Sequence, residues 1–164
     1  MKISIIAAIA ENSVIGKDNH MNWHISEDLK RFKATTLNHS VIMGRKTYEH
    51  LDFKPLPKRK NIVISSQEIE YEGAIVVKSI KEALDLCLDE DEVFVCGGAI
   101  VYKQFMDIAH KMYLTFVNHS FEGDTFFPEI NFDDWDVTET SETFTDSKNG
   151  LMFYYVNYSR KINS

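Results

Sequence analysis

The chain has no apolar run that approaches the ~20 residues a membrane-spanning helix needs. It has only two cysteines, Cys87 and Cys96, and neither has C-x-x-C or metal-ligand spacing. That excludes a disulfide scaffold and leaves two reduced, buried thiols as the expectation. Cations are in the minority, 18 Lys and Arg against 25 Asp and Glu, for a net charge of −7. A duplex nucleic-acid binder would carry a basic surface, so that partner class is set aside. The dinucleotide fingerprint G-x-G-x-x-G is missing, as is any clear Ser/His/Asp or Cys/His signature. His24 and His39 stand alone, so no metal is expected. Nor is there a linker, an internal repeat or a low-complexity tract. A single domain over residues 1–164 follows, long enough for a full core. The apolar N-terminus has β-branched residues at period 2 and reads as a buried strand, not an export signal, so a cytoplasmic protein is expected.

Short apolar runs alternate with helical patterns. Strands are predicted at 2–9, 41–43, 61–66, 74–77, 92–96 and 111–119, and helices at 26–36, following 44–47 through about 51, at about 79–89 and at 99–108. Residues 11–24 read as a long loop, a length at which ordered loops are often functional lids. Residues 135–144 and 151–159 alternate apolar and polar positions around a turn at 147–150, which predicts a closing antiparallel hairpin. The class is α/β: a mainly parallel central sheet, an antiparallel C-terminal edge and about four flanking helices. Ligands in such sheets bind at the carboxyl ends of strands.

Five stretches could carry chemistry. Ser26 can cap the first helix, with Glu27 and Asp28 in its first turn. Asp28 shares a helix surface with Leu29 and Phe32, and Trp23 lies just upstream. A carboxylate in an apolar cleft can bind a hydrogen-bond-donating heterocycle, although acids in a helix's first turn are commonly just dipole partners. Gly44-Arg45-Lys46-Thr47 can bind phosphate at a helix start, or can be a solvated basic turn. Gly97-Gly98 lets backbone approach a diphosphate, or simply turns the chain. Ser65-Ser66 can add hydroxyl contacts. Arg59, behind Pro55 and Pro57, can grip a carboxylate bidentately or lie free on the surface.

In order, Trp-x-x-x-x-Asp-Leu-x-x-Phe, Val-Ile-Met-Gly-Arg-Lys-Thr, Pro-Leu-Pro-Lys-Arg-Lys-Asn, Ser-Ser, Gly-Gly-x-x-x-Tyr and Glu-Gly-Asp-Thr-Phe-Phe-Pro closely resemble dihydrofolate reductase of the bacterial chromosomal type over nearly the whole chain. The resemblance implies NADPH-dependent reduction of 7,8-dihydrofolate to tetrahydrofolate in folate metabolism, with hydride to C6 and a proton to N5. It implies catalytic roles for Asp28, Trp23 and Met21, with water admitted near Met21. The folate pocket would be lined by Ile6, Ala8, Leu29, Phe32, Leu51, Leu56, Cys96 and Tyr102. Arg59 would take the glutamyl α-carboxylate, and Thr115 would support Asp28.

For NADPH, the resemblance assigns Gly44, Arg45, Lys46 and Thr47, with Ser65 and Ser66, to the phosphates. Lys78 would lie near the adenine. The pair Gly97-Gly98, joined by a cis peptide, would be followed by Ala99 and Ile100. Ala8, Ile15, Gly16 and Tyr102 would edge the nicotinamide. A monomer inhibited by antifolates is the further expectation. The sequence departs from the family at Asn22 and Ser26, commonly prolines, and at Ile100, often an arginine. Rival readings are a pteridine or pyrimidine reductase on the same scaffold, or a non-catalytic binder. Asp28 together with Arg59 argues for folate.

Overall fold

A computed structural model describes residues 1–17 and 23–162. The expectations for Met21 and Asn22 lie outside the described residues. In chain order the elements are β1 (Lys2–Ala10), β2 (Val14–Gly16), α1 (Ser26–Thr36), β3 (Ser40–Gly44), α2 (Arg45–Glu49), β4 (Lys60–Ile64), β5 (Ala74–Val77), α3 (Ile80–Asp85), β6 (Glu92–Val95), α4 (Ala99–Met106), β7 (Lys111–Val117) and β8 (Thr125–Phe126). A 3-10 turn at Phe132–Asp134 leads to β9 (Trp135–Thr140), β10 (Phe144–Thr145) and β11 (Met152–Arg160).

Nine strands form one sheet in the order β10-β11-β7-β1-β6-β3-β4-β5, with β9 also paired to β11. The pairs among β1, β3, β4, β5, β6 and β7 are all parallel, and β11 closes the sheet antiparallel on β7. Six carboxyl ends therefore share one edge. The central strands are buried on both faces, as a parallel sheet requires. From β1, Ile3, Ile5 and Ile9 join the core with Val101, Tyr102 and Phe105 of α4 and Ala83 of α3. On the opposite face, Ile6, Val41, Met43 and Phe94 pack with Tyr48 of α2 and Phe32 of α1. No helix among the described residues is long and apolar enough to cross a membrane.

Four expectations need correction. Helix α1 spans 26–36 as expected, but Ser26 lies inside it and Ile25 takes the N-cap position, with no side-chain cap. The Ile25 carbonyl accepts from the Asp28 and Leu29 amides at 3.1 and 3.2 Å. Ile25 is buried beside Trp23, and this anchor starts the helix at Ser26. Residues 11–24 are not loop throughout: β2 pairs antiparallel with β8, Val14 opposite Phe126 and Gly16 opposite Thr125. The strand predicted over 135–144 is broken after Thr140. Ser141 inserts there, its amide donating to the Tyr155 carbonyl at 2.9 Å and its Oγ accepting from the Tyr155 amide at 2.8 Å. Finally, Cys87 is buried but Cys96 is only partly so; both are free.

Candidate active site

Strand register explains why distant residues meet. Gly44 of β3 lies opposite Ile64 of β4, and Ile64 opposite Val77 of β5. The residues that follow, Arg45, Ser65 and Lys78, therefore leave the sheet at the same edge. Beside them the Gly44 amide donates to the Gly97 carbonyl at 2.8 Å. This brings the Gly97–Gly98 turn to the start of α2, and its peptide bond is cis. Thr47 Oγ1 would be 3.2 Å from a Cβ placed on Gly98.

Gly97 has φ +115°, a conformation that suits glycine, and a Cβ there would meet the Tyr102 ring at 3.3 Å. Tyr102 cannot easily yield, because it is buried and its hydroxyl donates to the Ile6 carbonyl at 2.8 Å. Gly97→Ala should therefore lower stability by about 1–3 kcal/mol and weaken cofactor binding. Thermal unfolding and a fluorescence titration with NADPH would check both effects. An unchanged Tm would mean the backbone relaxes freely at this turn.

The cations at this edge are not bare. Arg45 Nη1 donates to Glu49 at 2.8 Å, one turn along α2, and Glu49 also accepts from the Tyr71 hydroxyl. Those contacts, led by Tyr71, hold the Glu49 carboxyl below its ordinary range. Lys78 is paired with Glu68. Lys46 is exposed. Ser65 is buried and its Oγ accepts from the Gln67 amide at 3.1 Å, while Ser66 is exposed. At the start of α4, Ala99 is partly buried and Ile100 is 76% exposed.

On the α1 face, Ala8 of β1 is opposite Thr115 of β7, and Thr115 is opposite Tyr155 of β11. Above this row the Thr115 hydroxyl donates to Asp28 Oδ1 at 2.6 Å. Burial raises the Asp28 pKa above its ordinary value, opposed by the Thr115 hydrogen bond and by Arg31. Ile6, Phe32, Leu51, Leu56 and Cys96 belong to one apolar cluster on the sheet face that α1 covers, all partly or fully buried; Leu29 is more open. Burial pushes the Cys96 thiol up to about 12, so it is neutral. Trp23 is buried with its ring 4.9 Å from Phe121, and its indole N–H has no acceptor among the described residues.

Arg59 is oriented by its own loop. Its Nε donates to the Pro57 carbonyl at 3.0 Å and its Nη1 to Thr36 Oγ1 at 3.1 Å. The Nη2 edge has no acceptor among the described residues. Ile15 and Gly16 lie in β2, which the 123–127 segment holds: the Asp124 amide donates to the Gly16 carbonyl at 3.2 Å and the Phe127 amide to the Ser13 carbonyl at 2.9 Å.

Sequence reasoning missed several residues of this face. Arg31, Tyr113, Tyr155, Asn157 and Glu49 all touch or flank the groups it named. Arg31 had a signal, three residues after Asp28 at helical spacing. The β11 residues had none, because only strand pairing carries them to α1.

The arrangement joins a partly buried acceptor carboxylate to an apolar cleft, a fixed guanidinium at one end and a glycine-rich, cation-bearing edge at the other. It can bind a planar heterocycle with an anionic tail beside a dinucleotide. Comparison with known proteins agrees. The sequence profile described as "Dihydrofolate reductase" matches residues 2–160. The chain is 42% identical to dihydrofolate reductase of Bacillus subtilis (strain 168) over 163 residues, 99% of this chain and 96% of the relative. It is 48% identical to that of Neisseria gonorrhoeae over 163 residues, covering 98% and 99%. The solved structure of dihydrofolate reductase from Enterococcus faecalis, described as complexed with NADP(H) and RAB-propyl, aligns with a TM-score of 0.91 at 35% identity, covering 98% of this chain and 97% of that one. The chain belongs to the dihydrofolate reductase family.

Proposed function

We propose that this chain reduces 7,8-dihydrofolate to 5,6,7,8-tetrahydrofolate with NADPH. The observation that carries the reading is the Asp28 carboxylate, held by Thr115 at 2.6 Å beside apolar walls at the carboxyl edge of the sheet. Family membership and the NADP(H) bound by the Enterococcus relative support it.

Asp28 accepts hydrogen bonds from the 2-amino group and ring N–H of the pterin, a planar edge that a carboxylate matches with two bonds. That pairing orients the ring and favours protonation at N5. Phe32, Leu29, Leu51, Leu56, Ile6 and Ala8 line the cleft and exclude bulk water, which strengthens each polar contact inside. Cys96 and Tyr102 close its sheet side. Arg59 receives the α-carboxylate of the glutamyl tail on its Nη2 edge. Trp23 offers a donor that has no acceptor among the described residues.

The residues present fit the cofactor. The Gly97–Gly98 turn leaves room that a Cβ would fill, and Arg45, Lys46, Thr47, Ser65, Ser66 and Lys78 supply donors along one edge. Bound NADPH supplies the hydride. Ile15, Gly16 and Ala8 edge the nicotinamide, and Arg45 with Ser65 takes the 2′-phosphate. Ala99 starts α4 beside the diphosphate, while Ile100 gives it no cation. We also place the chain in the cytoplasm as a monomer, a location that its two free thiols suit.

The test is oxidation of NADPH on addition of dihydrofolate, with an antifolate in a parallel sample. Oxidation that the antifolate blocks is the expected result. NADPH bound but not oxidised, with turnover of a smaller pterin instead, would replace dihydrofolate as the substrate.

A further inference from the structure

The helix that carries Asp28 carries a clamped positive charge one turn on. Arg31 lies three residues later, so the two side chains rise from neighbouring positions. Its Nη2 donates to Asn157 Oδ1 at 2.7 Å, and its Cζ lies 4.0 Å from the centroid of the Tyr155 ring. Asn157 is itself tethered, donating to Glu139 at 3.3 Å. Among the described residues Arg31 makes no direct ion pair. Its charge is thus fixed over β11 by an amide and an aromatic face, which leaves its field free to act on the carboxylate three residues back on its own helix.

That carboxylate is Asp28. Tyr155 lies opposite Thr115, the partner of Asp28, and Asn157 lies opposite Tyr113 on the same strand pair. Tyr155 of the clamp is thus directly across from Thr115, and Asn157 lies two residues further along β11. The other titratable groups around Asp28 and Arg31 and their partners cannot substitute for Arg31. Glu27 on α1 and Glu139 on β9 are acids. Glu92 on β6 is an acid engaged by Ser4 and Tyr113. Tyr113 on β7, Tyr155 on β11 and Tyr102 on α4 are neutral, held above the usual phenol range by burial. Thr115 contributes a hydrogen bond but no charge.

We propose that Arg31, clamped by Asn157 and Tyr155, is a positioning residue whose fixed charge keeps the Asp28 carboxylate ionised within the cleft and so sets the pH at which the site loses its acceptor. This rests on the reading of Asp28 as the pterin-binding group. The direction follows from electrostatics: a nearby cation favours the charged form of a carboxyl, so its removal raises the Asp28 pKa. The separation exceeds a direct ion pair, so the expected shift is modest, about half a unit, or threefold in the ionisation constant.

The experiment titrates Asp28 directly. Carbon-13 NMR follows its side-chain carboxyl in the unliganded protein, with the resonance assigned by its loss in Asp28→Asn. Arg31→Met should move the titration up by about half a unit, and Arg31→Lys should restore most of the wild-type value. Asn157→Ala keeps the charge but frees the guanidinium, and should move it up by less. The acid limb of kcat/KM for dihydrofolate should follow in the same order. If Arg31→Met fails to fold, the Asn157→Ala shift decides. A titration that stays in place in the variants that fold overturns the proposal. Because the titration needs no substrate, a failure of the dihydrofolate reading would appear in the kinetics alone.

Discussion

Asp28→Asn lowers turnover at neutral pH by about 10²–10³-fold and leaves NADPH binding intact. The substitution keeps the shape of the side chain and lets its oxygen still accept from Thr115. It replaces the second carboxylate oxygen with an amide donor, which would face the donor edge of a pterin. A buried donor set against another donor loses its partner and repels it. Folding should not explain the loss. Burial raises the Asp28 pKa above its unfolded value. Its contribution to stability is therefore present below the unfolded pKa and lost as pH rises through the folded one. At neutral pH the ionised carboxylate is a cost, so the Tm of the unliganded variant should be equal or higher. The checks are steady-state NADPH oxidation and thermal unfolding at pH 7. Turnover equal to wild type would remove Asp28 from its assigned role.

Arg59→Ala raises KM for dihydrofolate by about 100-fold with kcat little changed, and leaves a pterin without a glutamyl tail almost unaffected. The basis is the way Arg59 is held. Pro57 and Thr36 take Nε and Nη1, and the guanidinium carbon lies 5.9 Å from the Phe32 ring centroid. Thr36 is buried, and its own hydroxyl donates to the Phe32 carbonyl at 2.8 Å. The fork is thus fixed before a ligand arrives, and its Nη2 edge is directed without further loss of side-chain freedom. Parallel kinetics with dihydrofolate and a truncated pterin separate the readings. Equal weakening of both would mean that Arg59 shapes the pocket instead of gripping a tail.

Asp28 and Arg59 stand out in the amino-acid sequence as local candidates, and only the order of motifs along the chain singles them out from a dipole partner and a surface arginine. Asp28 and Phe32 share a helix face at four-residue spacing, and Arg59 follows two prolines. The alternation of strands and helices likewise reveals the class, since each central strand is a short apolar run with buried faces. Other features depend on partners far away in sequence. Ser26 has the chemistry of an N-cap, yet the burial of Ile25 decides where the helix begins. The short strand at 14–16 shows no long periodic pattern and exists because 125–126 lies against it. Gly123 allows that approach: a Cβ there would lie 2.4 Å from a Val14 methyl and 2.7 Å from the Gly16 carbonyl. The break at Ser141 and the clamp on Arg31 both require β11, which no local pattern links to either.

Asn157 and Tyr155 lie in β11, far along the chain from Asp28, and β7 is an edge strand until β11 pairs with it. A chain still being synthesised therefore has Asp28 long before it has the strand that fixes Arg31 and covers Thr115. While its C-terminal segment remains inside the ribosome, the sheet ends at β7 and the acceptor site has an open flank. Completion of the acceptor site thus follows the emergence of β11, although the motifs that mark the family are all made before it.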